Sequence, residues 1–135
     1  VNITASVVSL NVPDPVASAK FLVDHFGFHE DMSADGFVSL SRPDATPNVV
    51  YLRTGLPTFK PARIAGDAGR GTLLAFAVDD IDAEYERIQH EGAPIETPIE
   101  TEPWGERYFQ TVDPNGIVIQ LVQWVSPPTD AKSYA

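Results

Sequence analysis

One stretch of this chain is written twice. Val8-Ser9-Leu10-Asn11-Val12-Pro13-Asp14 and Leu74-Ala75-Phe76-Ala77-Val78-Asp79-Asp80 align at a fixed offset of 66 residues, and with one residue of slack Gly27 matches Gly92. That offset is nearly half of the 135 residues. A repeat of this kind restricts the fold to two copies of one supersecondary unit.

Each copy begins with a short apolar strand that runs into a helix. The first helix follows Val12-Pro13-Asp14-Pro15, with Asp14 as N-cap, Pro15 at the first helical position and Gly27 as the stop. Ala19, Leu22, Val23 and Phe26 fall on one helical stripe. The second helix begins at Asp80, carries Asp82 and Glu84 in its first turn and ends at Gly92, with Ile81, Tyr85 and Ile88 on one face. Strand-like runs follow each helix: 36–40 and 49–52 after the first, 107–112 and 117–124 after the second, with room for one further short strand in each copy. Asp113-Pro114-Asn115-Gly116 supplies the turn chemistry between the last two.

These elements imply an α+β fold of two tandem βαβββ modules, residues 4–54 and 71–125, within one domain spanning 1–135. The Gly-, Pro- and Ala-rich stretch 55–70 is the linker, and 126–135 is expected to be a mobile tail.

Alternation along the strands assigns side chains to faces. Val8, Leu10 and Val12 point to the helices, as do Ile117, Ile119 and Leu121, leaving Val7, Ser9, Asn11, Val118, Gln120, Val122 and Trp124 on the opposite side. Leu73, Ala75 and Ala77 join that side, and so, in this reading, do Val49 and Tyr51. If the hairpin sets Val112 against Ile117, then Arg107, Phe109 and Thr111 join it too. The resulting face mixes apolar, aromatic and amide groups, as a ligand cup does.

Charge narrows the partners. Nine Lys plus Arg against nineteen Asp plus Glu give a net charge of −10. Such a surface repels a phosphate backbone and draws in cationic ligands, so nucleic acid is not an expected partner. No cysteine is present, which removes disulfides, thiolate metal sites and a cysteine nucleophile. No apolar run reaches the length of a membrane span and no basic-then-apolar leader stands at the N-terminus, so neither a membrane nor secretion is expected and the expected address is cytoplasmic.

The duplicated module, with Val-Pro-Asp or Val-Asp-Asp before each helix and Asp-Pro-Asn-Gly before the final strand, resembles the vicinal oxygen chelate superfamily of glyoxalases, extradiol dioxygenases and bleomycin-resistance proteins. The segment Glu102-Pro103-Trp104-Gly105-Glu106-Arg107-Tyr108-Phe109 most resembles the bleomycin-resistance branch. The resemblance implies a curved mixed-sheet cup completed in a homodimer. Enzymes of the superfamily hold a metal with one cup-facing residue on each of four strands; the matching positions here are Val7, Tyr51, Leu73 and Gln120. Hydrocarbon, phenol and carboxamide are poor ligands for Zn, Fe or Ni. His25, His29 and His90 lie on or just after helices. Neither a metal nor another cofactor, nor any catalytic residue, is therefore expected.

The expected activity is reversible, metal-independent sequestration of a planar aromatic, DNA-damaging natural product of bleomycin, mitomycin or anthraquinone-enediyne type. Two alternatives stand beside it: a superfamily enzyme of lyase, isomerase or dioxygenase type, and a carrier of a flavin or small aromatic metabolite. The expected ligand contacts are Trp104, Arg107, Phe109, Gln120, Tyr51, Phe37, Phe59, Trp124, Val7 and Leu73. Trp104 in its Pro-Trp-Gly turn reads equally as a pocket cap or as a partner-subunit contact. Arg107 reads as a donor to a ligand carbonyl or as half of a structural ion pair, and Phe59 on the linker as a lid.

Overall fold

A computed structural model describes residues 1–66 and 71–125. The proposed tail 126–135 and the last four linker positions lie outside the described residues. Each repeat builds the same sheet. The first holds β1 (Val7–Val12), α1 (Pro15–Phe26), β2 (His29–Ala34), β3 (Phe37–Arg42) and β4 (Ala45–Arg53); the second holds β5 (Leu73–Ala77), α2 (Ile81–His90), β6 (Ile95–Thr101), β7 (Glu106–Val112) and β8 (Val118–Trp124). The strand orders are β1-β4-β3-β2 and β5-β8-β7-β6. In both sheets the first and last strands of the module pair in parallel and all other pairs are antiparallel. A parallel pair needs a long crossover, which the helix and two intervening strands provide. The fold is α+β, as the repeat implies. Among the described residues no helix is long and apolar enough to cross a membrane.

The described residues divide into two compact units, 1–66 with Gly71 and Pro114–Gly116, and Thr72–Asp113 with 117–125. In the first, the Asp14 carboxylate accepts from the Ala17 N–H at 3.2 Å, and Gly27 closes α1 in the left-handed region at φ 66°. Asn115 doubles the cap: its Nδ2 donates to the Asp14 carbonyl and to Ser18 Oγ, each at 2.7 Å. Arg42 donates to the Phe26 carbonyl at the other end of the helix. Ser18, Ala19, Phe21, Leu22 and Phe26 are buried with Leu10, Val12, Val38, Leu40, Val49 and Tyr51. Val23, expected in the apolar stripe, is 39% exposed, and Phe21 is buried instead.

The second unit repeats the device. Asp80 caps α2 through the Ala83 N–H at 3.1 Å, and Gln123 clamps the same end by accepting from the Ile81 N–H and donating to the Asp79 carbonyl. Ile81 and Ile88 are fully buried, and the Tyr85 ring meets Phe109 at 4.9 Å.

Two face assignments made from the sequence are corrected here. Tyr51 is aligned with Leu10, and Val49 with Val8, so both belong to the helix side of the sheet; Tyr51 is completely buried. The β7–β8 hairpin sets Val112 against Val118, not Ile117. Asp113 explains the extra residue: its N–H donates to the Ile117 carbonyl at 3.0 Å and its Oδ1 accepts from the Ile117 N–H at 2.9 Å. Ile117 is thereby spent closing the turn. A one-residue slip reverses every side chain of a strand. Arg107, Phe109 and Thr111 consequently lie on the helix side, away from Gln120.

Candidate functional site

The sheet faces turned away from the helices are the candidate ligand surfaces, and each unit presents one. In the first unit the register brings together Val7, Ser9 and Asn11 from β1, Asn48, Val50 and Leu52 from β4, and Phe37 and Ser39 from β3. Val7 is 57% exposed, and Phe37 is half-buried beside its partner Leu52. The loop after β4 folds back over this face. The Gly55 N–H reaches the Ala65 carbonyl at 2.7 Å, and Asn11 Nδ2 donates to the Ile64 carbonyl at 2.9 Å. Phe59 sits half-buried in a turn closed on the Leu56 carbonyl. Asn11 ties this loop to β1 through the Ile64 carbonyl, and neither Asn11 nor Ile64 carried a sequence signal for that role.

In the second unit the face carries Leu73, Ala75 and Ala77 from β5, Val118, Gln120, Val122 and Trp124 from β8, and Glu106, Tyr108, Gln110 and Val112 from β7. Leu73, Ala75 and Ala77 are exposed, whereas Gln120 and Val122 are buried. A polar row crosses this apolar floor. Thr97 Oγ1 donates to Gln110 Oε1 at 2.7 Å, and Gln110 Nε2 donates to Gln120 Oε1 at 2.9 Å. At one edge the Tyr108 hydroxyl meets Glu100 at 2.6 Å and Glu102 at 2.9 Å. Hydrogen bonding first to Glu100 and then to Glu102 pushes its ionisation well above the ordinary tyrosine range, so the phenol stays neutral. Trp104 follows on the turn closed by the Gly105 N–H on the Glu102 carbonyl, and is 46% exposed; Trp124 is half-buried opposite Glu106.

Of the expected ligand contacts, Gln120, Trp124 and Leu73 share this face, with Trp104 on the turn between two of its strands. Val7 and Phe37 lie on the open face of the first unit. Tyr51 and Phe109 are core residues. Arg107 is a structural residue: Nη2 and Nε hold Asp82 of α2 at 2.6 and 3.2 Å, and Nη1 donates to Thr101 Oγ1 at 2.8 Å. The Arg107–Asp82 hydrogen bonding draws the Asp82 carboxyl below its usual value and raises the guanidinium's. Gln110, Thr97 and Tyr108 were missed; the parity of β7 would have found two of them had the turn been counted correctly.

The four positions at which a metal set would be held can now be tested. Gln120 is aligned with Ala75, and the equivalent alignment in the first unit pairs Ser9 with Val50, so Val50 replaces Tyr51 in that set. Val7, Val50 and Leu73 have no lone pair to give, and the Gln120 carbonyl oxygen already accepts from Gln110. Among the described residues no three His, Cys, Asp or Glu side chains gather as a ligand set. The residues present do not fit a catalytic metal of this type.

Comparison with known proteins gives concordant results. A family model described as "Glyoxalase/Bleomycin resistance protein/Dioxygenase superfamily" matches residues 4–121. A solved glyoxalase/bleomycin resistance protein/dioxygenase from Nocardioides is similar at 20% identity and TM-score 0.73, covering 98% of this chain and 91% of that one. A member of the same superfamily from Sphaerobacter thermophilus is similar at 25% identity and TM-score 0.67, covering 90% and 98%. The uncharacterized protein Mb0911c of Mycobacterium bovis is 35% identical over 48 residues, 36% of this chain and 32% of that protein. The match thus spans about a third of that relative's length.

Proposed function

The chain belongs to the glyoxalase/bleomycin resistance protein/dioxygenase superfamily, and from that premise we propose that it is a binding protein rather than an enzyme. It sequesters a planar aromatic, DNA-damaging natural product of bleomycin, mitomycin or anthraquinone-enediyne type without a metal. The observation that carries this reading is the exchange of coordinating side chains for Val7, Val50, Leu73 and Gln120 on the open faces. These four positions offer a ligand three apolar side chains and one amide in place of metal ligands. Tyr108, held neutral by its carboxylates, is no base near pH 7.

Further support comes from what is left uncovered. Leu73, Ala75 and Ala77 are exposed beside the buried Gln120, and Trp104 offers an aromatic face at 46% exposure. Stacking on such a ring contributes about 0.5–1.5 kcal/mol beyond area burial. The net charge of −10 concentrates cationic drugs near the surface. Protection is stoichiometric: bound drug is kept from DNA, and one protein chain spares one drug molecule for as long as the complex lasts. A homodimer belongs to the same proposal, because exposed apolar positions such as Val7 and Leu73 suit a covered surface better than an open one.

Titration of tryptophan fluorescence with bleomycin, mitomycin C and an anthraquinone-enediyne tests the binding role. At least one is expected to bind tighter than about 10 μM, roughly −7 kcal/mol. Failure of all three rejects it. Stoichiometric metal in purified protein, with turnover lost on chelation, would establish an enzyme instead.

A further inference from the structure

The hydrogen-bonded row on the second open face runs in one direction and does not close. Thr97, Gln110, Gln120 and Ala75 are register partners on four adjacent strands, β6, β7, β8 and β5. The Thr97 hydroxyl hydrogen goes to Gln110 Oε1, which turns Gln110 Nε2 towards Gln120 and consumes Gln120 Oε1. What remains is Gln120 Nε2. It has no hydrogen-bond partner among the described residues, although Gln120 is only 8% exposed. The next position in the row is Ala75, an exposed methyl that accepts nothing and fills little space. Gln120 Nε2 is not one of the fully buried side-chain atoms left without a partner, so its two N–H groups open onto this face and can be handed from water to an acceptor on a ligand.

We propose that the ligand of this face presents a hydrogen-bond acceptor, a quinone-type or amide carbonyl, above Ala75, where it accepts from Gln120 Nε2. Thr97 and Gln110 are positioning residues that fix which end of the Gln120 amide faces the ligand. This assignment rests on the sequestering function proposed above and adds to it the chemistry being recognised. Apolar walls on β5 and β8 take the ring system; the amide selects rings that carry a carbonyl. Donor-only ligands are disfavoured, because they face N–H groups with N–H or O–H groups.

A matched pair of cationic probes tests the proposal: 2-(aminomethyl)anthraquinone and 2-(aminomethyl)anthracene, which differ in the two ring carbonyls alone. The wild-type chain is expected to prefer the anthraquinone by about tenfold, equivalent to about 1.4 kcal/mol. Gln120→Leu is expected to abolish the preference, and far-UV circular dichroism reports that the variant is folded. Thr97→Val, which leaves Gln120 in place, is expected to cut the preference to about threefold, since both amides are then free to turn over; that loss of half the discrimination uses the same cited scale. Ala75→Leu, which fills the space, is expected to weaken the anthraquinone by tenfold or more on the scale of one blocked contact. Equal affinity of the two probes for the wild type overturns the acceptor rule and leaves sequestration standing. Binding of neither probe below about 10 μM overturns the assignment of a carbonyl-bearing ring to this face, while sequestration itself is decided by the three drugs. A preference unchanged in Thr97→Val overturns the positioning role.

Discussion

Phe109 separates two arrangements of β7 that differ by a single residue of register. With Val112 opposite Val118 the ring is completely buried on the helix side, 4.9 Å from the Tyr85 ring and tilted by 58°. With Val112 opposite Ile117 it would stand on the ligand face. Phe109→Leu keeps an apolar side chain and removes the ring pair. The lost pair amounts to about 0.5–1.5 kcal/mol. The smaller buried surface adds about 1 kcal/mol at roughly 25 cal/mol per Å². A total near 2 kcal/mol leaves a domain of this size folded, since stabilities run to about 5–15 kcal/mol. Urea unfolding followed by far-UV circular dichroism should show a lower midpoint at unchanged slope. Ligand affinity, measured on the folded variant, should match wild type within about twofold, or roughly 0.4 kcal/mol. A cycle with Tyr85→Leu should return a coupling of about 0.5–1.5 kcal/mol. The register is refuted if Phe109→Leu unfolds at the wild-type midpoint while ligand affinity falls tenfold.

Three further outcomes are expected. Trp104→Ala should weaken a planar ligand by about three- to tenfold, in line with about 0.5–1.5 kcal/mol of stacking, with little change in the unfolding midpoint because the ring is 46% exposed; unaltered affinity removes Trp104 from the site. Asp113→Ala strips the buried Ile117 N–H of its acceptor and should cost about 1–3 kcal/mol in urea unfolding, and a wild-type midpoint would mean that the turn does not set the register. Tyr108 ionises above its unfolded value of about 10, so the stability this proton contributes is present below that pH and disappears as pH rises through the folded value. The stability difference between wild type and Tyr108→Phe should therefore shrink between pH 9 and pH 11; a constant difference contradicts the carboxylate clamp.

The duplicated strand–helix unit and both helix boundaries were legible because their signals are local. Asp14 and Asp80 cap through side chains three residues from the N–H they serve, and Gly27 takes a positive φ that other residues avoid. The face of β1 was legible too, since Ser9 and Asn11 alternate with the apolar Val8, Leu10 and Val12. On β4, Val49, Val50, Tyr51 and Leu52 are apolar on both sides, so alternation names neither face.

Composition and periodicity alone therefore determined the repeat, the α+β class and the capped helix starts. Tertiary structure decided which residues share the open face of each sheet. The parity of β7 hangs on whether Ile117 belongs to the turn or to the strand, and that is settled by two hydrogen bonds from Asp113, not by any preference of β7 itself. Pairing across strands is a long-range choice with a period of two, so one residue of turn length exchanges core for site, and Arg107 and Phe109 for Tyr108 and Gln110.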